Sequence, residues 1–272
     1  MGIYFTEKNG ITAIKFKELD ETGLVDHWYT TRIGGVSSGA YASMNPGITT
    51  KDELQNIMEN RRLLKEAFKI NPRETLNLVH GDKVLRIEEL APEGEVPEAD
   101  AAITNVPGLP LVIFYADCAG VYIVDRAKKA IGLAHAGWRG TAASIALKTV
   151  NAMRKEFGTN PKDCTAVIAP SIGPCCFEIG EDAAEIFFES FSREYSEQHR
   201  KELKESISKI NKDKYKANLW KINEIQLISA GIKQESISAA NLCTFCREDL
   251  FYSYRRDNKI TGRMGAAIVL RT

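Results

Sequence analysis

A pair of apolar, β-branched segments near the middle of the chain constrains the fold more than any other feature. Residues 121–124 and 131–135 flank a polar turn at 125–128, and this pattern predicts a β-hairpin. A turn closed by Arg126 and Ala127 would place Cys118 opposite His135, with Cβ atoms about 4.5–5.5 Å apart. Arg-Ala is a weak two-residue turn sequence, and a one-residue slip would send the two side chains to opposite faces. The sequence therefore predicts the hairpin but leaves open which residues of its two strands lie opposite each other.

Further segments rich in apolar and β-branched residues predict more strands, with helices intermixed. The predicted strands are 76–80, 84–87, 111–115, 166–168, 237–240 and 266–270. Helical spacing of apolar residues predicts helices over about 50–70, after a capping box at Thr50, and over about 141–157. The charged stretch 181–216 is predicted to form one or two solvent-facing helices. Because helices and strands do not alternate regularly, we expect an α/β (α+β) fold, a single layered domain over 1–272 with mixed β-sheets flanked by helices.

The overall composition excludes several classes of protein. Lys plus Arg and Asp plus Glu both number 36, and this zero net charge argues against non-specific binding to nucleic acid or to an acidic membrane. A hydrophobic content of 44% is too high for a disordered chain. No apolar run approaches the roughly 20 residues of a membrane span, and the N-terminus lacks the pattern of a secretory signal. Because six cysteines are too sparse for a disulfide framework, we expect a cytoplasmic protein.

Cys118 and His135 allow two kinds of chemistry if the hairpin brings them together. They could be two ligands of a metal ion, or a thiolate–imidazole pair acting as nucleophile and base. His80, which precedes a glycine at the end of a predicted strand, would complete a set of two His and one Cys. Such a set holds catalytic zinc and leaves a position for water or substrate. A buried structural cysteine with hydrogen-bonded histidines is the alternative.

Charged and aromatic residues near these positions are candidates for catalysis and for substrate binding. Asp117 and Glu178 could move a proton, or could only orient another ligand. Three arginines lie in glycine-rich or aromatic sequence, where a planar guanidinium suits phosphate; they are Arg32, Arg139 and Arg255. Trp138 could stack on a base. Ordinary surface arginines are the alternative interpretation.

The remaining cysteine motif is a lone CxxC formed by Cys243 and Cys246. Together with Cys175 and Cys176 it could form a four-thiolate zinc site. Because the second pair is adjacent rather than spaced by two residues, its ligand geometry is poor and the sequence disfavours this site. Nothing around the CxxC indicates a thioredoxin-like redox unit.

Ordered sequence blocks across most of the chain resemble the YfiH family, which is variously described as laccase-domain proteins, polyphenol oxidoreductases and purine nucleoside phosphorylases. The blocks are 31–37 (TRIGGVS), 43–45 (SMN), 79–81 (VHG), 99–101 (ADA), 116–118 (ADC), 135–140 (HAGWRG), 172–178 (IGPCCFE), 218–220 (NLW), 254–256 (YRR) and 261–263 (TGR). The resemblance implies a layered α/β fold related to toxin deamidases that use a Cys–His pair. One departure is Leu78, which stands where the family usually has Gln before Val-His-Gly.

The resemblance also implies an activity. It implies zinc held by His80, Cys118 and His135, with copper a less favoured occupant. It implies phosphorolysis of purine nucleosides such as adenosine, inosine and methylthioadenosine, so that a nucleoside and phosphate are the expected partners, with an accompanying adenosine deaminase activity. The block at 43–45 adds Asn45 to the substrate-binding candidates.

Other functions stay open at this point. One is a hydrolase that edits peptidoglycan precursors at an amide, through Cys118 or through water activated by zinc. Another is a non-catalytic metal-binding protein. A copper-dependent polyphenol oxidase is disfavoured, because the four histidines are too few for the copper centres of a multicopper enzyme; they are His27, His80, His135 and His199.

Overall fold

The first sheet is antiparallel and gathers strands from both ends of the chain. The computed structural model describes residues 2–92, 94–191 and 195–272. In spatial order this sheet contains β1 (Ile3–Lys8), β2 (Ile11–Phe16), β3 (Val25–Thr30), β14 (Met264–Leu270) and β6 (Pro110–Tyr115). The sequence predicted β6 and β14, whereas β1–β3 were not predicted. All five strands pair antiparallel within the described part of the chain.

The second sheet is mixed and contains the predicted hairpin. In spatial order its strands are β13 (Ile237–Ala239), β9 (Cys164–Ile168), β7 (Ala119–Asp125), β8 (Ala130–Ala136), β5 (Ala101–Thr104) and β4 (Val84–Arg86). The outer pairs, β13 with β9 and β4 with β5, are parallel, and the inner pairs are antiparallel. A small antiparallel sheet holds β10 (Glu178–Gly180), β12 (Lys214–Ala217) and β11 (Ile207–Lys209).

The register of the β7–β8 hairpin differs from the predicted one by two residues. Gly120, not Cys118, lies opposite His135. The turn is longer than expected because Oδ1 of Asp125 accepts hydrogen bonds from the backbone N–H groups of Ala127 and Lys128, both at 2.9 Å. A shift of two residues preserves the alternation of side chains, so Cys118 and His135 stay on one face.

The helices pack around the sheets, several of them on the outer faces of the two large ones. They are α1 (Lys17–Asp20), α2 (Leu54–Phe68), α3 (Trp138–Ala142), α4 (Ile145–Phe157), α5 (Glu181–Ser190), α6 (Glu197–Glu205) and α7 (Leu219–Ser229). Leu64 and Phe68 of α2 pack with Trp28 on the first sheet. Ile145 of α4 and Ile225 of α7 belong to the apolar cluster on the outer face of the second sheet.

The inner faces of the two large sheets pack on each other. Phe16 and Ile113 of the first sheet share a buried cluster with Tyr122 and Leu133 of the second. Burial of such side chains stabilises the fold by roughly 1.5–3 kcal/mol each. The order of layers is thus helix, sheet, sheet, helices, and the predicted layered α/β fold with mixed sheets and flanking helices is confirmed.

Some local predictions are wrong. The helix predicted from Thr50 begins at Leu54, because the Thr50 hydroxyl donates to the carbonyl of Gly47 instead of capping the helix. Segment 76–80 contributes only an isolated bridge at Asn77. The stretch 181–216 contains β11 and part of β12 besides helices, and its residues 192–194 lie outside the described residues. Within the described chain, no helix combines the length and apolar character needed to cross a membrane.

Candidate metal and substrate site

His80, Cys118 and His135 converge, as the sequence predicted, and we call them the metal trio. One ligand atom from each lies within 4.8 Å of the others. Cys118 lies in the connection by which the chain leaves β6 in the first sheet and enters β7 in the second. His135 lies near the end of β8, and the ring centroids of the two histidines are 4.9 Å apart. Two imidazoles and one thiolate at this spacing are donors that bind zinc and copper.

Asp100 holds both histidines of the metal trio in place. Its buried Oδ1 lies 2.9 Å from Nδ1 of His135 and accepts the backbone N–H of His80, also at 2.9 Å. Oδ2 accepts the N–H of Gly81 at 2.7 Å. Burial alone would raise the pKa of Asp100, but the bonds from His135 and Gly81 lower it, so the group is a carboxylate. A carboxylate behind a histidine fixes the ring nitrogen that faces a metal.

Asp100 was not predicted as a site residue. The available signal was a charged residue between two alanines at the start of a fully buried strand. His80 adopts φ +59°, a left-handed conformation that is unfavourable for a residue with a side chain. The hydrogen bond from its N–H to Asp100 stabilises that conformation. Backbone strain of this kind is concentrated at functional sites.

Electrostatic interactions within the metal trio favour the thiolate of Cys118. Burial alone would raise the pKa of the Cys118 thiol, but the adjacent His135 and His80 outweigh burial and lower that pKa. Burial would likewise lower the pKa of His135, but the charges of Cys118 and Asp100 raise it. Cys118 is therefore stabilised as the thiolate, the form that binds a metal.

Gly137 leaves space beside the metal trio. A Cβ atom at this position would lie 3.1 Å from Sγ of Cys118, 3.2 Å from Nδ1 of His80 and 3.4 Å from Cε1 of His135. The glycine in the HAGWRG block therefore leaves room beside all three side chains, which any larger residue would fill. The donor set and this space together fit a metal ion.

The metal trio opens onto a cavity of about 1380 Å³. Aromatic and apolar side chains line much of its wall, including Leu78, Phe114, Tyr115, Trp138, Phe177 and Tyr254. Basic side chains line the rest: Arg61, Arg62, Lys65, Arg73, Arg139, Arg255, Lys259 and Arg263. In the described lining these outnumber the acidic Glu74 and Asp117. A cavity with this charge attracts anions, although the chain as a whole has zero net charge.

Three of the predicted substrate-binding residues line the cavity: Trp138, Arg139 and Arg255. The Arg139 guanidinium lies over the Trp138 ring, 4.3 Å from its centroid. Arg32 and Asn45 are absent from the lining as far as the structure describes it. Arg32 instead donates to the carbonyl of Ala42 at 2.8 Å and supports a loop.

Arg263 lines the cavity and was not predicted as a site residue. Its backbone N–H donates to Oδ1 of the buried Asn45 at 3.0 Å, so Asn45 positions Arg263 from behind. Burial lowers the pKa of Arg263, while the charges of Asp117 and Cys118 act in the opposite direction. Its guanidinium is therefore close enough to the metal trio to interact with it electrostatically. The sequence signal for Arg263 was its position in the TGR block, which follows the arginine pair Arg255 and Arg256.

Asp117 lines the cavity but is fully engaged by hydrogen bonds. Its carboxylate accepts from the hydroxyls of Thr244 at 2.6 Å and Ser253 at 3.0 Å, and from the N–H of Arg255 at 2.7 Å. Burial raises the pKa of Asp117 above its ordinary value, although these donors oppose the shift. Asp117 thus ties the connection that carries Cys118 to the loop that carries Arg255.

Glu178 lies apart from the metal trio. It is exposed on β10, and its carboxylate lies 3.4 Å from Nζ of Lys214. It does not occur among the described residues that line the cavity. The structure brings the backbone carbonyl of Glu178, not its carboxylate, to Arg255, whose Nη1 donates to it at 2.8 Å.

Tyr115 presents a hydroxyl that has no partner among the described residues. The side chain is buried, lines the cavity, and its ring centroid is 5.6 Å from that of His135. Gly120 leaves room for it, because a Cβ there would lie 2.0 Å from the hydroxyl oxygen. Burial raises the pKa of Tyr115 well above its ordinary value, so the group stays protonated and can donate a hydrogen bond.

Comparisons with known proteins identify relatives along nearly the whole chain. Residues 26–271 match the family model described as "Multi-copper polyphenol oxidoreductase laccase". A purine nucleoside phosphorylase of Bacteroides thetaiotaomicron is 34% identical over 264 residues, which cover 94% of this chain and 95% of that protein. Purine nucleoside phosphorylase YfiH of Escherichia coli is 35% identical over 245 residues, covering 89% and 92%.

A solved structure has the same fold. The crystal structure of YlmD from Geobacillus stearothermophilus matches with a TM-score of 0.87 at 29% sequence identity, covering 100% of both chains. These findings confirm the resemblance that the sequence blocks indicated. The chain belongs to the multi-copper polyphenol oxidoreductase laccase family, the group of YfiH-type proteins.

Proposed function

We propose that this chain is a zinc-dependent purine nucleoside phosphorylase, acting on adenosine, inosine or methylthioadenosine. The observation that carries the proposal is the position of the metal trio on a cavity that is both basic and aromatic. Such a cavity offers separate places for an anion and for a purine ring. Relatives of similar length that are named purine nucleoside phosphorylases support the same reaction.

The metal trio fits zinc. Two imidazoles and a thiolate, with a carboxylate behind one imidazole, are a donor set of catalytic zinc sites. A zinc ion held there would supply a Lewis acid at the floor of the cavity. The same donors accept copper, but the remaining histidines are elsewhere: His27 accepts the N–H of Phe16, and His199 lies 2.7 Å from the hydroxyl of Ser229. A multicopper centre therefore has no further histidines near this cavity in the described chain.

Arginines hold the phosphate in this proposal. In phosphorolysis a phosphate oxygen forms a bond to C1′ of the ribose while the bond from C1′ to the base breaks, and the base leaves with the electron pair. Phosphate must therefore be held against C1′ with its charge neutralised. Arg263, Arg139 and Arg255 line the cavity and supply guanidiniums for this purpose. Arg263 is the principal candidate because its guanidinium is close enough to Cys118 to interact with it electrostatically.

Aromatic and hydroxyl groups bind the nucleoside. Trp138 and Tyr254 offer ring faces to the purine, and Leu78 adds an apolar contact. The Tyr115 hydroxyl donates a hydrogen bond to the substrate, which supplies the partner that this buried group lacks. Asp117, with its three donors, acts as a positioning residue for Cys118 and Arg255.

One observation favours a second candidate, an amide-editing hydrolase. Cys118 and His135 are adjacent, and Asp100 lies 2.9 Å from Nδ1 of His135. Nucleophile, base and orienting carboxylate are the parts of a cysteine hydrolase triad. The two candidates differ in metal dependence, because a bound metal would occupy the Cys118 thiolate. Hydrolysis of a peptidoglycan-precursor amide by metal-free protein would favour the triad.

Incubation of zinc-loaded protein with adenosine, with and without phosphate, tests the proposal. We expect adenine and ribose 1-phosphate to form only when phosphate is present. Adenine release at equal rates without phosphate, or no release at saturating phosphate, would overturn the proposal. Formation of inosine without phosphate would measure the deaminase activity separately. The His80→Ala variant is the negative control, since it removes one member of the metal trio.

A further inference from the structure

Four cysteines outside the metal trio converge at one end of the fold, contrary to the expectation from their spacing. The Sγ atoms of Cys175, Cys176, Cys243 and Cys246 all lie within 4.8 Å of one another. Sγ of Cys246 is 3.7 Å from that of Cys175 and 3.3 Å from that of Cys176. All four are free thiols, and we call them the cysteine cluster.

Neighbouring parallel strands explain the convergence. Strands β9 and β13 are parallel, so the chain leaves both at the same edge of the sheet. The two exits stay together, because the N–H of Thr244 donates to the carbonyl of Ser171 at 3.0 Å. One cysteine pair follows each exit at a similar distance along the chain. An adjacent pair is suitable here because Cys175 and Cys176 lie in a tight turn closed by the N–H of Cys176 on the carbonyl of Gly173.

Hydrogen bonds hold the two loops that carry the cysteine cluster in place. The N–H of Gly173 donates to Sγ of Cys243 at 3.2 Å. Nη1 of Arg256 donates to the carbonyls of Thr244 at 2.9 Å and of Phe245 at 3.1 Å, which fixes the CxxC turn.

We propose that the cysteine cluster is a second metal site, a structural zinc bound by four thiolates. Four sulfurs in mutual proximity match the ligand number of a closed tetrahedral zinc site, whereas a disulfide would use only two of them. On binding, each thiol that is still protonated releases its proton to solvent and no sulfur is oxidised. The site is separate from the metal trio and does not depend on the proposed phosphorylase reaction.

The position of this site indicates what it would do. It joins the loop after β9, which brings Ile172 and Phe177 to the cavity, to the loop after β13, which brings Tyr254 and Arg255. The second loop also carries Thr244, whose hydroxyl donates to Asp117. Zinc in the cysteine cluster would therefore hold two walls of the cavity together. Its resistance to a chelator would not depend on whether the metal trio holds zinc.

Zinc analysis of reduced, zinc-reconstituted and desalted protein tests the proposal. We expect two zinc ions per wild-type chain, one in the Cys175→Ser/Cys246→Ser variant, and one in the His80→Ala/His135→Ala variant. Cys164→Ser is the matched control with two, because Cys164 is buried in β9 away from the cysteine cluster. One zinc ion per wild-type chain that is lost in the His80→Ala/His135→Ala variant and kept in the Cys175→Ser/Cys246→Ser variant would overturn the proposal.

X-ray absorption at the zinc edge of the His80→Ala/His135→Ala variant gives a second readout. We expect a shell of only sulfur ligands at about 2.3 Å. Nitrogen or oxygen in that shell, or loss of all zinc from this variant while it stays folded, would overturn the proposal. If the double serine variant does not fold, the wild-type zinc content and the all-sulfur shell still decide the question.

Discussion

Oδ1 of Asp100 lies 2.9 Å from Nδ1 of His135, and both side chains are buried. The same oxygen accepts the N–H of His80, so a single carboxylate fixes both histidines of the metal trio. Two members of the metal trio, Cys118 and His135, flank the β7–β8 hairpin, and Asp100 connects the third, His80, to His135.

Replacing Asp100 by Asn tests this connection. The variant would put an NH₂ group against a donor, either the N–H of Gly81 or the two groups that face Oδ1, so the backbone at residues 80–81 or the imidazole of His135 must move. We expect zinc affinity to fall about 10- to 100-fold, measured against a competing chelator. Asp125→Asn is the matched control, because Asp125 is buried at the far end of β7 and keeps its accepting Oδ1. Equal zinc affinity in the two variants would contradict the role given to Asp100.

Arg263→Met tests the assignment of the phosphate site. Removing the guanidinium leaves the phosphate charge less neutralised, and we expect the KM for phosphate to rise about tenfold or more, equivalent to roughly 1.4 kcal/mol. The KM for the nucleoside should change much less. Arg154→Met, on the exposed side of α4, should change neither. A rise confined to the nucleoside KM would assign Arg263 to the nucleoside instead.

Tyr115→Phe separates function from stability at a buried hydroxyl. Among the described residues this hydroxyl has no hydrogen-bond partner, so its removal should not lower the free energy of unfolding. If the hydroxyl bonds the substrate in the transition state, kcat/KM should fall about 10- to 100-fold. Steady-state kinetics with thermal unfolding of the same samples measures both effects. Unchanged kcat/KM would remove Tyr115 from the reaction.

His27 predicts a loss of stability at acid pH that is unrelated to the metal trio. Burial lowers its pKa well below 6.5 in the folded chain, and its Nε2 accepts the N–H of Phe16 at 2.8 Å. The unfolded chain therefore binds a proton that the folded chain does not. The free energy of unfolding should fall by about 1.4 kcal/mol per unit as pH drops below about 6.5.

His27→Gln keeps an acceptor but has no proton to bind in this range. Denaturant unfolding of wild type and variant at pH 7.5 and 5.5 should show a smaller decrease for the variant. His199→Gln, on helix α6, is the control for loss of a histidine elsewhere. The metal trio is present in all three proteins, so its own titration cancels in the differences. Identical decreases in wild type and His27→Gln would contradict the prediction.

Periodicity and spacing were sufficient to predict much of the fold. The strands of the central hairpin are long, apolar and β-branched, so local sequence identifies them. Its register was wrong because Asp125 closes a longer turn through its own side chain, an effect that strand patterns do not contain. Strand β1 was missed because its exposed residues give it a mixed composition.

The site was predictable where the chain places the chemistry close in sequence. Cys118 and His135 flank one hairpin, so their approach follows from local structure. Pairing of β5 with β8 places Asp100 beside the metal trio, and Asn45 positions Arg263. Neither contact can be predicted from a local sequence pattern. The adjacent spacing of Cys175 and Cys176 disfavoured the cysteine cluster. Spacing within one pair does not contain the parallel pairing of β9 and β13, which brings the two cysteine pairs together.

The most direct test of the phosphorylase reaction follows the oxygen atom that joins the sugar. Zinc-loaded protein would turn over adenosine in ¹⁸O-labelled phosphate and unlabelled water, with the products analysed by mass spectrometry. The account predicts ribose 1-phosphate that carries every ¹⁸O atom of the phosphate, including the one bonded to C1′. Free ribose whose C1′ oxygen comes from water, or adenosine recovered intact, would contradict it.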